Sequence, residues 1–294
     1  MEIKYKDIQA IDVQEKQTIY KYLKSKGYSE NFLKNLRKSF GYIKLNGEPC
    51  IITTLVKEND IISVNVNPNT KTSINSCIIP LDIVYEDEDV LAINKPSMLP
   101  TMPSRSHYAY NLSGAIVAYM NDKQENFVVR IVNRLDKEAS GIVLVAKNSL
   151  ASNFLNNLEN TTKTYYALCN GIIDENIVID TNIDTLINQY GYNNNKRVVS
   201  NDSGKKAKTF VEVVKKYKDY TLVKIQLEQG RTHQIRVHLS SIGHALLGDS
   251  IYGTKSELIN HTALVCKEID FNHPTQNKKI HLEIDFPDDF KKLI

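Results

Sequence analysis

At 294 residues the chain is too long for one ordinary domain and predicts about two. Its 41% apolar and 24% charged residues describe a globular protein with a real core, and no apolar run nears the roughly 18 residues of a membrane-spanning helix. The excess of 37 basic over 34 acidic residues says little by itself, and the charged start Met1-Glu2-Ile3-Lys4 predicts no secretory leader and hence a cytoplasmic protein. The four cysteines, Cys50, Cys77, Cys169 and Cys266, form no CxxC pair and read as buried thiols, not disulfides or zinc ligands.

Charge is uneven along the chain. Between Lys21 and Lys44 stand Lys21, Lys24, Lys26, Lys34, Arg37, Lys38 and Lys44 against the single acid Glu30. Ile19, Tyr20 and Leu23 predict one side of a first helix, Gly27 breaks it, and Ser29 is an N-cap for a second. Phe32, Leu33, Leu36 and Phe40 give that second helix an apolar stripe, with the cations mainly opposite. Tyr42–Leu45, Asn46-Gly47 and Glu48–Ile51 predict a hairpin, and Ile61–Val66 a half-buried strand. A solvated helix face usually mixes signs; this one-sided face suits a phosphate backbone. The polar stretch from Asn65 to Pro80 reads as a linker.

Beyond it, strands are expected at Val90–Ile93, Gly141–Ala146, Thr164–Cys169, Lys208–Val214 and Thr221–Leu227, with helices at Leu112–Met120 and Ser149–Leu158. The apolar run Gly141–Ala146 predicts a strand buried on both faces. This irregular order predicts an α+β domain with a largely antiparallel sheet.

Two segments carry chemistry. In Asn133-Arg134-Leu135-Asp136-Lys137-Glu138-Ala139-Ser140-Gly141, an acid stands beside an arginine in a loop that a buried strand would hold rigid. An isolated turn Asp more often caps its own backbone, but Gly230-Arg231-Thr232-His233-Gln234-Ile235-Arg236-Val237-His238 packs two arginines and two histidines into nine residues. Read as a strand, alternation puts Arg236 and His238 on one face and leaves His233 and His238 on opposite faces, which argues against a metal site. Arg236 is then the expected partner of a buried Asp136, because a guanidinium keeps a desolvated acid ionised, as a nucleophile or base requires.

Arg134-Leu135-Asp136 with Ser140-Gly141, Lys163-Thr164-Tyr165, Gly204–Thr209, Gly230–Arg236 and Gly248-Asp249-Ser250-Ile251-Tyr252-Gly253 occur in an order that resembles RluA-type pseudouridine synthases. The segment Leu33-x-x-Leu36-Arg37-Lys38 with Gly41–Gly47 resembles the S4-type RNA-binding module. The resemblance implies an S4-like domain over 14–68, a linker over 69–80 and a pseudouridine synthase domain over 81–294. It implies an enzyme that isomerises RNA uridine with no metal or organic cofactor. Asp136 is then the reacting carboxylate, Tyr165 the stacking residue and Arg236 the ionic partner. Arg134, Lys163, Arg231 and His233, with Lys34, Arg37, Lys38 and Lys44 in front, are the implied RNA contacts. A leading S4-like module points by architecture to large-subunit ribosomal RNA, and a monomer is expected.

Asn133, Ala139, Ala245, His261 and Val265 stand where the family more often has His, Thr, Pro, Arg and His. They avoid the three central residues and bear on substrate register and outer support. Two other functions fit parts of the pattern: a non-catalytic RNA-binding or ribosome-assembly factor, and an RNA N-glycosylase that lowers RNA mass by releasing the base. The first has no use for an ionised Asp136. A zinc deaminase lacks its His/Cys/Cys signature here.

Overall fold

The computed structural model describes residues 5–14, 16–37, 41–65, 72–104, 108–125, 128–187 and 193–294. Lys38, Phe40, Val66 and the first residues of the expected linker lie outside these. The chain starts with β1 (Tyr5–Gln9), and Thr18 then caps α1 (Ile19–Ser25) by accepting from the Lys21 N–H. Ser29 accepts from the Phe32 N–H at 3.3 Å and opens α2 (Glu30–Arg37). The predicted hairpin follows as β2 (Ile43–Leu45) and β3 (Glu48–Pro49), turned by Asn46 and Gly47, both at positive φ. β4 (Ile61–Asn65) closes a four-stranded sheet in the order β1-β4-β2-β3.

β1 lies ahead of residue 14, so this unit's sheet begins earlier than the sequence predicts; its alternating burial marks it as a half-buried strand. The helices bury Ile19, Tyr22, Leu23, Phe32, Leu33 and Leu36. Tyr22 takes the place expected for Tyr20, because positions 19, 22 and 23 share a face at helical spacing. Tyr20 instead sends its hydroxyl to Glu30 at 2.6 Å.

The larger part begins with β5 (Asp82–Glu86) and β6 (Val90–Lys95). Asn111 caps α3 (Leu112–Asp122), and β7 (Ser140–Ala146) is buried along its whole length. α4 (Ser149–Leu155) is capped by Asn148 and stops three residues short of the expected Leu158, where a single 3-10 turn, Leu158–Asn160, takes over. Then come β8 (Thr161–Asn170), β9 (Ile177–Asp180), β10 (Asn182–Ile187), β11 (Asn193–Ser200), β12 (Lys208–Lys216) and β13 (Tyr220–Leu227). The chain finishes with α5 (Gln234–Ser241), β14 (Leu264–Asn272), β15 (Lys279–Glu283) and α6 (Asp288–Lys291).

The main sheet runs β5-β6-β7-β14-β8-β13-β12-β9, with β15 paired to β14; β10 and β11 form a separate hairpin. Among the described strands only β7 and β14 pair parallel, through Ser140–Val265 and Gly141–Cys266. The architecture is α+β with a largely antiparallel mixed sheet. Gly141 is required at that seam: its φ is +115°, and a Cβ there would lie 2.3 Å from the Cys266 carbonyl oxygen. No helix among the described residues is long and apolar enough to cross a membrane.

Candidate active site

The loop before β7 is tied down from several sides. Asn133 is buried, donates to the Ile142 carbonyl at 3.0 Å and accepts from the Leu144 N–H at 2.7 Å, bridging onto β7. Thr101 brackets Leu135, donating to its carbonyl at 2.6 Å and accepting from its N–H at 3.2 Å. The fully buried Lys95 donates to the carbonyls of Pro96 and Leu99 at 2.8 Å and reaches that of Lys137 at 3.4 Å. Burial pushes its ammonium down to about 7, against the pull of Asp136. Asp136 thus projects from a backbone whose neighbours on both sides are hydrogen-bonded.

Gln234–Ser241 is a helix, not the strand that alternation predicts. Gln234 to Leu239 are all buried, so apolar and polar residues alternate without an exposed face, and a short run of that kind does not separate the two periods. The helix turns Arg236 and His238 apart. His238 packs away from the cleft against Thr209 at 2.9 Å and the Thr181 carbonyl at 3.2 Å, a satisfied core histidine. Arg236 faces the loop.

Its guanidinium organises the site. Nε and Nη2 donate to Asp249 at 2.7 and 2.8 Å, and Nη1 donates to Asp136 Oδ2 at 3.0 Å. Asp249 also accepts from the N–H groups of Ile251 and Tyr252, and its side chain has no exposed surface. Burial alone would raise the Asp249 carboxyl, yet the Arg236 bonds win and hold it below its usual range. For Arg236, burial opposes the charge, but Asp249 and Asp136 together raise its pKa. Asp136 differs from the expected dry acid: about a quarter of its side chain, 26%, faces the cleft. The deeply buried acid is Asp249, which sequence reasoning quoted in a motif and left without a role.

Three further residues were missed. Glu138 reaches Arg236 Nη2 at 3.5 Å and accepts from Ser250 and Thr262 at 3.0 and 2.7 Å. Tyr252 lies under the Arg236 guanidinium, 5.4 Å from ring centroid to carbon, and its oxygen accepts from the Arg197 N–H. The same oxygen lies 2.9 Å from His233 Nδ1, and His233 Nε2 lies 3.9 Å from Asp136 Oδ1. Burial, with Arg236 and Arg197 nearby, lowers the His233 pKa. Arg197 comes from the β10–β11 hairpin, which the sequence reading left out. The signal available was the basic pair Lys196-Arg197 leading into apolar Val198-Val199.

Tyr165 on β8 is buried between Ile225 of β13 and Cys266 of β14, and burial raises its hydroxyl well above the usual range. Asp136, Tyr165 and Arg236 line one cleft of about 790 Å³ with Arg134, Lys163, Arg231, His233 and Arg197. Arg134 is exposed, Arg231 donates to the Lys206 carbonyl, and burial lowers the Lys163 pKa. Lys34, Arg37 and Lys44 do not line this cleft. They sit on the N-terminal unit, Lys34 and Arg37 exposed and Lys44 over the Tyr5 ring. Among the unusual residues, Asn133 and Ala139 line the cleft, whereas Ala245, His261 and Val265 pack elsewhere; His261 bonds Asp289 at 2.7 Å. The arrangement is one partly exposed carboxylate clamped by a buried guanidinium, beside an aromatic ring and a rim of cations.

Comparison with known proteins fits this geometry. Residues 89–241 match the family described as RNA pseudouridylate synthase. The chain is 33% identical to the uncharacterized RNA pseudouridine synthase YjbO of Bacillus subtilis, over 94% of this chain and 98% of that protein. It is also 33% identical to ribosomal large subunit pseudouridine synthase D of Neisseria meningitidis, over 86% of this chain and 71% of that protein. The structure of human RNA pseudouridylate synthase domain containing 1 superposes with a TM-score of 0.56 at 23% identity, covering 71% of this chain and 84% of that one.

Proposed function

Because the chain belongs to the RNA pseudouridylate synthase family, we propose that it isomerises uridines of large-subunit ribosomal RNA with Asp136 as the reacting carboxylate. The relative that carries the ribosomal large subunit in its name supports the substrate. The observation that carries the residue assignment is the clamp: Arg236, fixed from behind by Asp249, holds Asp136 through Oδ2 while about a quarter of the Asp136 side chain, 26%, stays exposed.

The reaction breaks the N1–C1′ bond of uridine, turns the base and joins C5 to C1′. C5 loses a proton and N1 gains one, so the product is an isomer. One carboxylate facing C1′ serves both halves, bonding to the sugar carbon or balancing its positive charge while the base is detached. A conventional glycosidase needs two separated carboxyls instead. Tyr165 is the platform for uracil. Its hydroxyl stays protonated, which suits stacking better than proton abstraction, and a base on an aromatic ring gains about 1–3 kcal/mol. Flipping the uridine costs a few kcal/mol. Stacking and phosphate contacts from Arg134, Lys163, Arg231 and His233 offset it, joined by Lys34, Arg37 and Lys44 on the front unit and by Lys38 in the undescribed stretch. With a ribosomal substrate we place the enzyme in the cytoplasm, and we propose that it acts as a monomer.

Release of tritium from RNA labelled at uridine C5 tests the assignment. The parent protein is expected to release label and Asp136→Asn none; equal counts from both would remove Asp136 from the mechanism. RNA of unchanged mass distinguishes isomerisation from base loss.

A further inference from the structure

The N-terminal unit is docked on the larger part by a built junction. Tyr28, between α1 and α2, is buried with its ring 5.7 Å from Phe32 of its own unit and 5.4 Å from Phe154 of α4. Its hydroxyl donates to the Pro274 carbonyl at 2.9 Å. Ser29 donates to Asn153 at 2.5 Å, and Gly27 sits so close to the segment after α4 that a Cβ would lie 2.8 Å from the amide nitrogens of both Asn157 and Asn160. At a second point, Lys6 of β1 pairs with Glu88 and with Asp89 at 3.3 Å, the Lys6 and Asp89 side chains being only 10% and 3% exposed. A loosely tethered unit has no need of buried aromatic and ionic contacts of this kind.

The junction lies against the catalytic cleft. Asn156 and Asn157 line the cleft, while Phe154 and Asn160 of the same segment line a groove of about 490 Å³ between the two parts. Lys26, Asn272, Gln276 and Lys278 line that groove too, and among the described residues its one acid is Glu159. From Glu30 beside the junction to Arg37 is about 11 Å along α2 at 1.5 Å per residue. Lys34 and Arg37 are exposed there, while Glu30 is engaged by Lys24 and Tyr20.

We propose that the substrate RNA runs from the α2 face across this groove to the cleft, and that the fixed junction sets the spacing between the RNA element held in front and the uridine presented to Asp136. The unit then acts as a ruler: it selects among uridines by distance. This rests on the reading of the α2 face as an RNA contact, and the experiment separates the two.

The test measures kcat/KM by tritium release on two probes: an unmodified large-subunit ribosomal RNA transcript, and a 20-nucleotide single strand carrying one uridine that the parent modifies. Tyr28→Ala and Lys6→Met, which loosen the junction at two points, are expected to lose about tenfold or more on the transcript and to stay within twofold on the short strand. Lys6→Met opens no aromatic cavity, so the same split in both variants does not come from a collapsed unit; a far-UV circular dichroism spectrum equal to the parent's at the assay temperature confirms it. Equal losses on both probes, or no loss on either, would overturn the ruler. Arg37→Glu, with an intact junction, must weaken transcript binding. If it does not, the RNA-contact reading falls and takes the inference with it; if it does while the junction variants behave as the parent, only the ruler falls.

Discussion

Replacing Asp249 by Asn changes one charge at constant size and asks how much of the site hangs on the buried half of the clamp. The carboxylate accepts four hydrogen bonds, two from Arg236 and two from backbone N–H groups. An amide offers one oxygen and turns an NH2 toward at least one of those donors. Arg236, only 3% exposed, is left as a buried cation short of its main partner. Breaking one side of such a pair costs about 3–5 kcal/mol. For a domain near two hundred residues, at about 2–4 °C per kcal/mol, the melting temperature should fall by roughly 6–20 °C. Activity should fall about 100-fold, because a guanidinium no longer held through Nε and Nη2 fails to fix Asp136, and displacement by about 1 Å costs about that much.

The pH dependence gives an independent check. The folded-state pKa of Asp249 lies below its ordinary 3.8, so its stabilisation is complete above that value and disappears as pH falls through the folded pKa. The gap in melting temperature between parent and variant should therefore be constant at neutral pH and close below about pH 4. Thermal unfolding by circular dichroism across pH 3–8, with tritium release at pH 7, measures both effects. A variant that melts within 2 °C of the parent and keeps its rate would refute the clamp.

Gly141→Ala should be among the most damaging single substitutions. It forces a side chain into a left-handed conformation and against the Cys266 backbone, for about 2–6 kcal/mol from strain and overpacking together; soluble yield and denaturant midpoint report it, and a midpoint equal to the parent's would contradict it. Lys95→Met should change how stability varies in alkali. With the folded ammonium near 7, the unfolded chain binds the extra proton up to about 10.5, so the parent gains on the order of 1 kcal/mol per pH unit between those values. The variant should lack that gain, and parallel curves for the two proteins would rule it out.

Much of the fold was legible because its cues are local. The Asn46-Gly47 turn, the Ser29 cap and the buried run of β7 each follow from a few neighbouring residues. The nine residues from Gly230 were misread as a strand because a helix buried on every side leaves no polar stripe to fix its period. The β10–β11 hairpin escaped because its strands carry Asn182, Asp184 and the run Asn193-Asn194-Asn195, residue types depleted in strands. The pairing of Arg236 with Asp136 spans 100 residues, and the need of a desolvated acid for a guanidinium, reinforced by motif order, pointed to it, not periodicity. What nothing in the order of residues announced was the depth of each acid. Asp249 and Asp136 look alike as letters, yet one is sealed beneath the guanidinium and the other meets solvent. Removing residues 1–70, a natural experiment from the sequence alone, is a poor one here, since Tyr28 and Lys6 bury part of the larger domain; charge reversal on α2 leaves that surface covered.

The parallel seam between β7 and β14 has a consequence for biosynthesis. Asp136 lies in the loop that leads into β7, on one side of that seam, while Tyr165, Arg236 and Asp249 come from segments made later. A ribosome adding about 5–20 residues per second must first release Leu264–Cys266 from its exit tunnel before the halves of the sheet can join. The nascent chain therefore emerges with Asp136 unclamped and completes the Arg236 clamp only near the end of translation; on the assignment proposed above, growing polypeptides are idle toward the RNA that surrounds them.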